Sequence, residues 1–361
     1  MKKFIVILLV VISSFASLFA SFDYSLDFFS FDPLHKVYIA DKNSHDIEFN
    51  CIANFGDKID HIFQDTRYGE INPHRYEIKE KDLMDSLLQI KLADGLCFFR
   101  NTFSFDSVVS PIAFELIFQP SLNSLIDTGF HGVLAYETIW FAGINVSVAD
   151  KVTFRAGLHH YCNHYGDMLL NELTEADRGD IDLIYKYARM HTMAFGVSIE
   201  PIEGVRIYGE FDMPYKGTES LRPYIFQPSW MENSIYPGKY PDQYKARSIN
   251  FGFELSHIFF PQLGKTTFAY DLHLYEEGQI VYKNADGSYI TDPELIVYDP
   301  SRPWRQEHSV VLNQRIAPYF SIELQFCYGY TPLNMFYYIE DTSWFSIGFK
   351  FDPDVSIPII R

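Results

Sequence analysis

The stretch Arg247-Ser248-Ile249-Asn250-Phe251-Gly252-Phe253-Glu254-Leu255-Ser256-His257 alternates without a break. Successive side chains of a strand point to opposite faces. Ile249, Phe251, Phe253 and Leu255 therefore share one side, and Ser248, Asn250, Gly252, Glu254 and Ser256 the other. Any half-buried antiparallel sheet contains such a strand. What decides the reading is recurrence. The same alternation returns along most of the chain, behind an N-terminal export signal, with short and long connections in turn. That combination is the signature of a transmembrane β-barrel.

Working outward, Val152, Phe154, Ala156 and Leu158 alternate with Thr153, Arg155, Gly157 and His159. Val205, Ile207, Phe211 and Met213 alternate with Arg206, Tyr208, Glu210 and Asp212. The pattern repeats over 192–200, 267–274, 321–328 and 344–351, and more faintly over 88–93, 99–106, 112–118, 136–148 and 308–316. The fold predicted is all-β, an antiparallel transmembrane β-barrel of about 12 strands, within a range of about 10 to 14. Connections at 149–151, 201–204, 258–264 and 317–319 are short, whereas 163–189, 214–246 and 276–307 are long and polar. Outer-membrane barrels alternate short periplasmic turns with long external loops in this way. A soluble β-sandwich shares the period of two but has no reason to sort its loops.

Met1-Lys2-Lys3, an apolar run over 4–12 and the small residues Ser13, Ser14, Ala16 and Ala20 form a secretory signal peptide, assigned to residues 1–20. Cleavage is expected after Ala16 or Ala20; the competing reading is a retained anchor. The rest divides into an N-terminal periplasmic or plug-like segment (21–85), the barrel (86–351) and a C-terminal tail (352–361). Past the signal no apolar run reaches the roughly 18–20 residues of a membrane helix. Aromatic residues nevertheless make up 17% of the chain, with 33 Phe and 25 Tyr, as a lipid face and interface girdles require. A net charge of −18 argues against a nucleic-acid partner. The predicted location is the outer membrane of a Gram-negative-type envelope, with outer-membrane lipid, the outer-membrane assembly machinery and a small solute as partners. No cofactor is implied. Cys51, Cys97, Cys162 and Cys327 lack the spacing of a disulfide scaffold.

Several short pieces carry a family resemblance. Phe31-Asp32-Pro33-Leu34 followed by Ile39-Ala40-Asp41, then His160-Tyr161-Cys162-Asn163-His164-Tyr165-Gly166-Asp167, then Gly204-Val205-Arg206-Ile207-Tyr208-Gly209 are three. Gly329-Tyr330-Thr331-Pro332 and Phe349-Lys350-Phe351-Asp352 are two more. Together they resemble an uncharacterised family of bacterial outer-membrane proteins, a domain of unknown function; the Pro-Arg pair expected after Asp41 is missing. The resemblance implies location and fold, brings no activity, and marks His160, His164, Gly166 and Asp167 as motif residues.

Two constellations could carry chemistry. His159, His160, Cys162, His164 and Asp167 are the densest set of ligand-type residues, and His160, Cys162 and His164 share a strand face suited to zinc or copper. That face belongs to Val152, Phe154 and Leu158, so the competing reading is an interfacial collar leading into a loop. The second set is the inward charges: Arg100, Glu115, Glu137, Arg155, Arg206, Glu210, Asp212, Glu254, Asp271, His273, Arg315, Glu323 and Lys350. Charges inside a barrel must pair or face water. They line either a narrow, porin-like pore for a small solute or a filled, non-conducting scaffold. A membrane-embedded lipid hydrolase is the third reading; no Gly-x-Ser-x-Gly elbow supports it, and no catalytic residue is assigned.

Overall fold

A computed structural model describes residues 23–43, 46–54, 86–106, 109–127, 132–165, 185–214, 222–226, 247–259, 264–281, 284–286, 297–329, 332–333, 342–351 and 357–360. The predicted signal peptide and most of the tail lie outside them.

The strands are β1 (Asp23–Ser30), β2 (Ile47–Asn54), β3 (Ser86–Ala93), β4 (Leu96–Ser104), β5 (Ile112–Asp127) and β6 (Gly132–Val148). They continue with β7 (Val152–Tyr165), β8 (Tyr185–Ile202), β9 (Val205–Pro214), β10 (Arg222–Phe226), β11 (Ser248–His257) and β12 (Thr266–Tyr275). Last come β13 (Ile280–Val281), β14 (Val297–Tyr298), β15 (Arg305–Ala317), β16 (Phe320–Gly329), β17 (Thr342–Phe351) and β18 (Ile357–Ile360). Twelve of them, β2, β3, β5–β9, β11, β12 and β15–β17, close a ring of antiparallel neighbours, sealed where β5 pairs with both β3 and β6. β10 extends the ring beside β8, and β13 and β14 form a separate hairpin.

Register fixes the size of the ring. Paired residues lead from Ile112 through Val148, Val152, Ile199, Ile207 and Phe253 to Tyr270. They continue through Val310, Phe326, Phe345 and Ala53 to Ser86. The next residue, Leu87, faces Asp127, so one circuit returns to β5 about 16 residues from its start. Twelve strands with that stagger tilt by roughly 43° and enclose a radius of about 12–13 Å to the backbone. Inward side chains reduce this to a core that one extra chain segment fills.

The faces are those of a protein turned inside out. Apolar residues on the outer face are open, with Ile207 54%, Phe349 59% and Phe154 49% exposed, while Glu115 and Glu137 on the inner face are 0% exposed. A soluble protein does the reverse; a belt of apolar side chains around a polar interior is the solution for lipid. Short links join strands at one end of the ring, including Ala149 and Asp150, both with positive φ, as a two-residue hairpin demands. Gly204 also has positive φ (+79°), and a Cβ there would meet the Ser256 carbonyl oxygen at 2.4 Å. The other end carries the long connections, apart from the short link at 128–131. No helix among the described residues is long and apolar enough to cross a membrane, which does not bear on a barrel.

Three wall lines are broken at the same level. β3 and β4 both run antiparallel to β5, Leu87–Ala93 against its upper half and Leu96–Phe103 against its lower half, interrupted by Asp94 and Gly95. β1 and β2 likewise continue one another along β4 and β3. β17 and β18 do so along β2 and β1. The segment 31–46 departs from the wall at Ser30 and rejoins it at Ile47.

This corrects two expectations. Strands β1 and β2 put 23–30 and 47–54 in the wall, ahead of residue 86, and the described residues between them lie inside the barrel. Residues 88–93 and 99–106, read as two strands, are halves of one line, while β2 supplies the line left out. The two errors cancel, and the predicted count of about 12 holds.

Candidate functional site

The inner wall and the segment 31–46 make one polar cluster. Alternation puts Arg206, Glu210 and Asp212 on the inner face of β9, and Glu254 opposite them on β11, where Glu254 pairs in register with Arg206. Arg206 is buried and holds three things at once. Its Nη1 donates to Glu254 Oε1 at 3.3 Å, its Nε donates to Ser198 Oγ at 2.7 Å, and its guanidinium caps the carbonyls of Val37 (2.7 Å) and Lys36 (2.5 Å). On the same segment the Ile39 N–H donates to Glu254 (3.0 Å) and the Leu34 N–H to Glu115 Oε1 (2.7 Å). Arg100 grips Glu115 (2.8 Å) and the carbonyl of Asp32. A planar guanidinium with five donors suits this many-sided duty better than an ammonium would.

The segment's own side chains answer the wall in kind. Lys42 meets Glu307 at 2.6 Å, and Lys350 meets Asp46 at 2.5 Å. Tyr38 stacks on Tyr208 with ring centroids 4.0 Å apart, and its hydroxyl donates to Glu210 at 3.3 Å. His35 lies 3.1 Å from Thr153 Oγ1 and 2.8 Å from the Tyr38 hydroxyl. Lys42 and Tyr38 are only 1% and 4% exposed, so these contacts are dry. Below the segment lies a cavity of about 430 Å³, lined by Lys36, Asp46, Gln119, Arg206, Arg315 and Lys350 among others. Above it a gap of about 30 Å³ is bounded by Tyr38, Asp41, Arg155, His159, Asp212 and His273 among others.

Most of the predicted inward charges meet here. Arg155 pairs with Glu210 (3.2 Å) and lies 3.7 Å over the Phe141 ring. Gly143 and Gly157 make room for that ring, since a Cβ on either would come within 2.7 Å of it. Asp271 accepts the Tyr208 hydroxyl at 2.8 Å, and Glu323 accepts the Asn313 amide at 3.1 Å. Glu137 accepts the Asn123 amide at 3.2 Å. Arg315 borders the lower cavity, and His273 is 5% exposed. Tyr38, Asp41, Lys42, Asp46 and Glu307 were not among the predicted inward residues. The first four belong to an irregular segment with no period to assign them a face.

The histidine set divides between the two faces of β7. His160 stacks on Trp140 on the outer face, with centroids 5.1 Å apart, and Cys162 shares that face. The side chain of His164, and Gly166 and Asp167, lie outside the described residues. The group that converges is on the opposite face: His159, Glu210 and Asp212 each place a ligand-type atom within 4.8 Å of the others. His159 Nδ1 is 3.1 Å from Asp212 Oδ1 and 3.8 Å from Glu210 Oε1. The alternation of His159 with Arg155 was the available signal. None of the four cysteines forms a disulfide.

No protein-family model matches the chain, so the resemblance drawn from its short motifs stands without one, and no curated protein matches either. Solved structures with similar architecture include outer membrane phospholipase A from Escherichia coli, at 9% identity and TM-score 0.44, covering 86% of this chain and 93% of that one. The Salmonella typhi phospholipase dimer with bound calcium aligns at 8% identity and TM-score 0.44, covering 86% and 91%. The NanC porin aligns at 8% identity and TM-score 0.38, covering 85% and 100%. All are outer-membrane barrels. By its own strand pairing the chain is a 12-stranded closed antiparallel barrel.

Proposed function

We propose that this chain is an outer-membrane barrel, exported through a cleaved N-terminal signal, whose lumen is closed by its own segment 31–46. The observation that carries this reading is the Arg206 clamp, where one buried guanidinium binds two main-chain carbonyls of the segment and the wall carboxylate Glu254. An open channel would leave the inward charges to water. Instead Arg100, Arg155, Arg206, Glu115, Glu254 and Lys350 have protein partners. The geometry therefore favours a non-conducting barrel over a narrow open pore. Outer-membrane lipid surrounds the apolar belt, and the outer-membrane assembly machinery inserts the chain. His160, the residue on which a hydrolase reading would rest, packs as an interfacial aromatic against Trp140.

Planar-bilayer recording of the refolded protein tests this. No steady current is expected at either polarity, and a stable ohmic conductance from the unaltered barrel would overturn the reading.

A further inference from the structure

We infer that the gap above the inserted segment is a binding site for one divalent transition-metal ion of the zinc class, held by His159, Glu210, Asp212 and His273. Three of these are brought together by the wall itself. His159 comes from β7, while Glu210 and Asp212 lie two residues apart on the inner face of β9. With bonds of about 2.1 Å, tetrahedral zinc ligands lie roughly 3.4 Å from one another. The distances from His159 Nδ1 to Asp212 (3.1 Å) and to Glu210 (3.8 Å) bracket that value.

A second, independent observation comes from β12. His273 is 5% exposed and lines the same gap, yet neither of its ring nitrogens has a hydrogen-bond partner. Leaving a buried polar group unsatisfied costs about 1–3 kcal/mol. A ring nitrogen offered to a cation removes that cost. The Asn250 side-chain oxygen beside it is also without a partner. The charge balance points the same way: Asp41, Glu210 and Asp212 border the gap against the single guanidinium of Arg155. Two imidazoles with two carboxylates suit a borderline metal rather than calcium, which takes oxygen ligands.

Arg155 sets the terms of loading. Its Nη2 lies 3.1 Å from His159 Nε2, so Nε2 accepts and the ring proton sits on Nδ1, facing Asp212. An incoming ion takes the place of that Nδ1 proton. The ring stays a neutral ligand when that proton moves to Nε2, and Arg155 then turns away. Arg155 therefore competes with the ion, while His273 favours it.

The test uses the full chain refolded in detergent, stripped with chelator and titrated with zinc sulfate by calorimetry, with Co²⁺ absorption as a spectroscopic check. One equivalent of zinc per barrel and the intense visible bands of tetrahedral Co²⁺ are expected. His273→Ala and Asp212→Asn should each weaken zinc roughly 10- to 100-fold, and Arg155→Met should tighten it. Unboiled gel migration reports whether each variant still folds, and His159→Gln serves if either fails. No stoichiometric zinc, affinity unchanged in the folded variants, or calcium bound in preference to zinc would each overturn the assignment. None of these readouts depends on whether the barrel conducts.

Discussion

Two of the chain's excursions from the barrel wall contrast. Residues 31–46 turn inward and are fastened to the wall by main chain and side chain alike, through Arg100, Arg206, Glu115, Glu254, Glu307 and Lys350. Between Tyr275 and Arg305 the described residues carry contacts of their own. The hairpin there holds two residue pairs, Asp299 donates its N–H to the Gln279 carbonyl, and Ser301 bonds Asp299. Glu276 pairs with Arg247 at the root of this stretch. Both excursions are polar, so polarity does not decide which enters the lumen. The difference lies in the wall: a segment is retained inside where buried charges have no water and need partners.

The strongest way to break the contrast is to remove the inner excursion. Replacing 33–43 by a short glycine linker should convert a silent barrel into a conducting one in planar bilayers while unboiled gel migration persists. A silent variant would mean that the wall side chains close the lumen unaided. Next is Arg206→Ala, which takes the guanidinium from Glu254 and from two main-chain carbonyls. A loss of about 3–5 kcal/mol in urea unfolding is expected, as when one partner of a buried ion pair is deleted. Tyr38→Phe keeps the stack on Tyr208 and loses only the bond to Glu210, so about 1 kcal/mol is expected in the same assay. Shortening the outer excursion across 282–296 should change stability by less than about 0.5 kcal/mol. Smallest is Ser301→Ala. The Ser301 hydroxyl and N–H hold the Asp299 carboxyl below its ordinary range, and this bonding favours the folded hairpin at neutral pH and fades as acid protonates Asp299. The variant should bring the carboxyl back up in an NMR titration, with no change in the barrel.

Much of the wall was legible because its period is strict. Ile249 to Leu255 and Arg206 to Asp212 each assign every side chain to lipid or lumen, and register then brings Arg206 opposite Glu254. The seam was less legible. Asp94-Gly95 looks like a turn between two strands, but it is a break within one line, and alternation cannot distinguish the two because it carries no information about partners. The inserted segment has no period at all, so Tyr38 and Lys42 could be placed only by the three-dimensional wall. At the histidine cluster, spacing drew attention to His160, Cys162 and His164, whereas the convergence lies one residue away at His159. A one-residue step along a strand exchanges lipid for lumen, so the predicted trio and the converging His159 lie on opposite faces of one six-residue stretch.

The seam also bears on how the molecule is assembled. β1 meets β18 through Leu26 with Ile360 and Phe28 with Ile357, so the ring is zipped shut by residues from opposite ends of the sequence. Such distant pairings form late, after neighbouring hairpins have ordered. The segment 31–46 joins β1 and β2, the two halves of this line, and the Arg206 clamp ties it to β9 and β11 on another part of the ring. The filling of the lumen thus braces the seam against the wall.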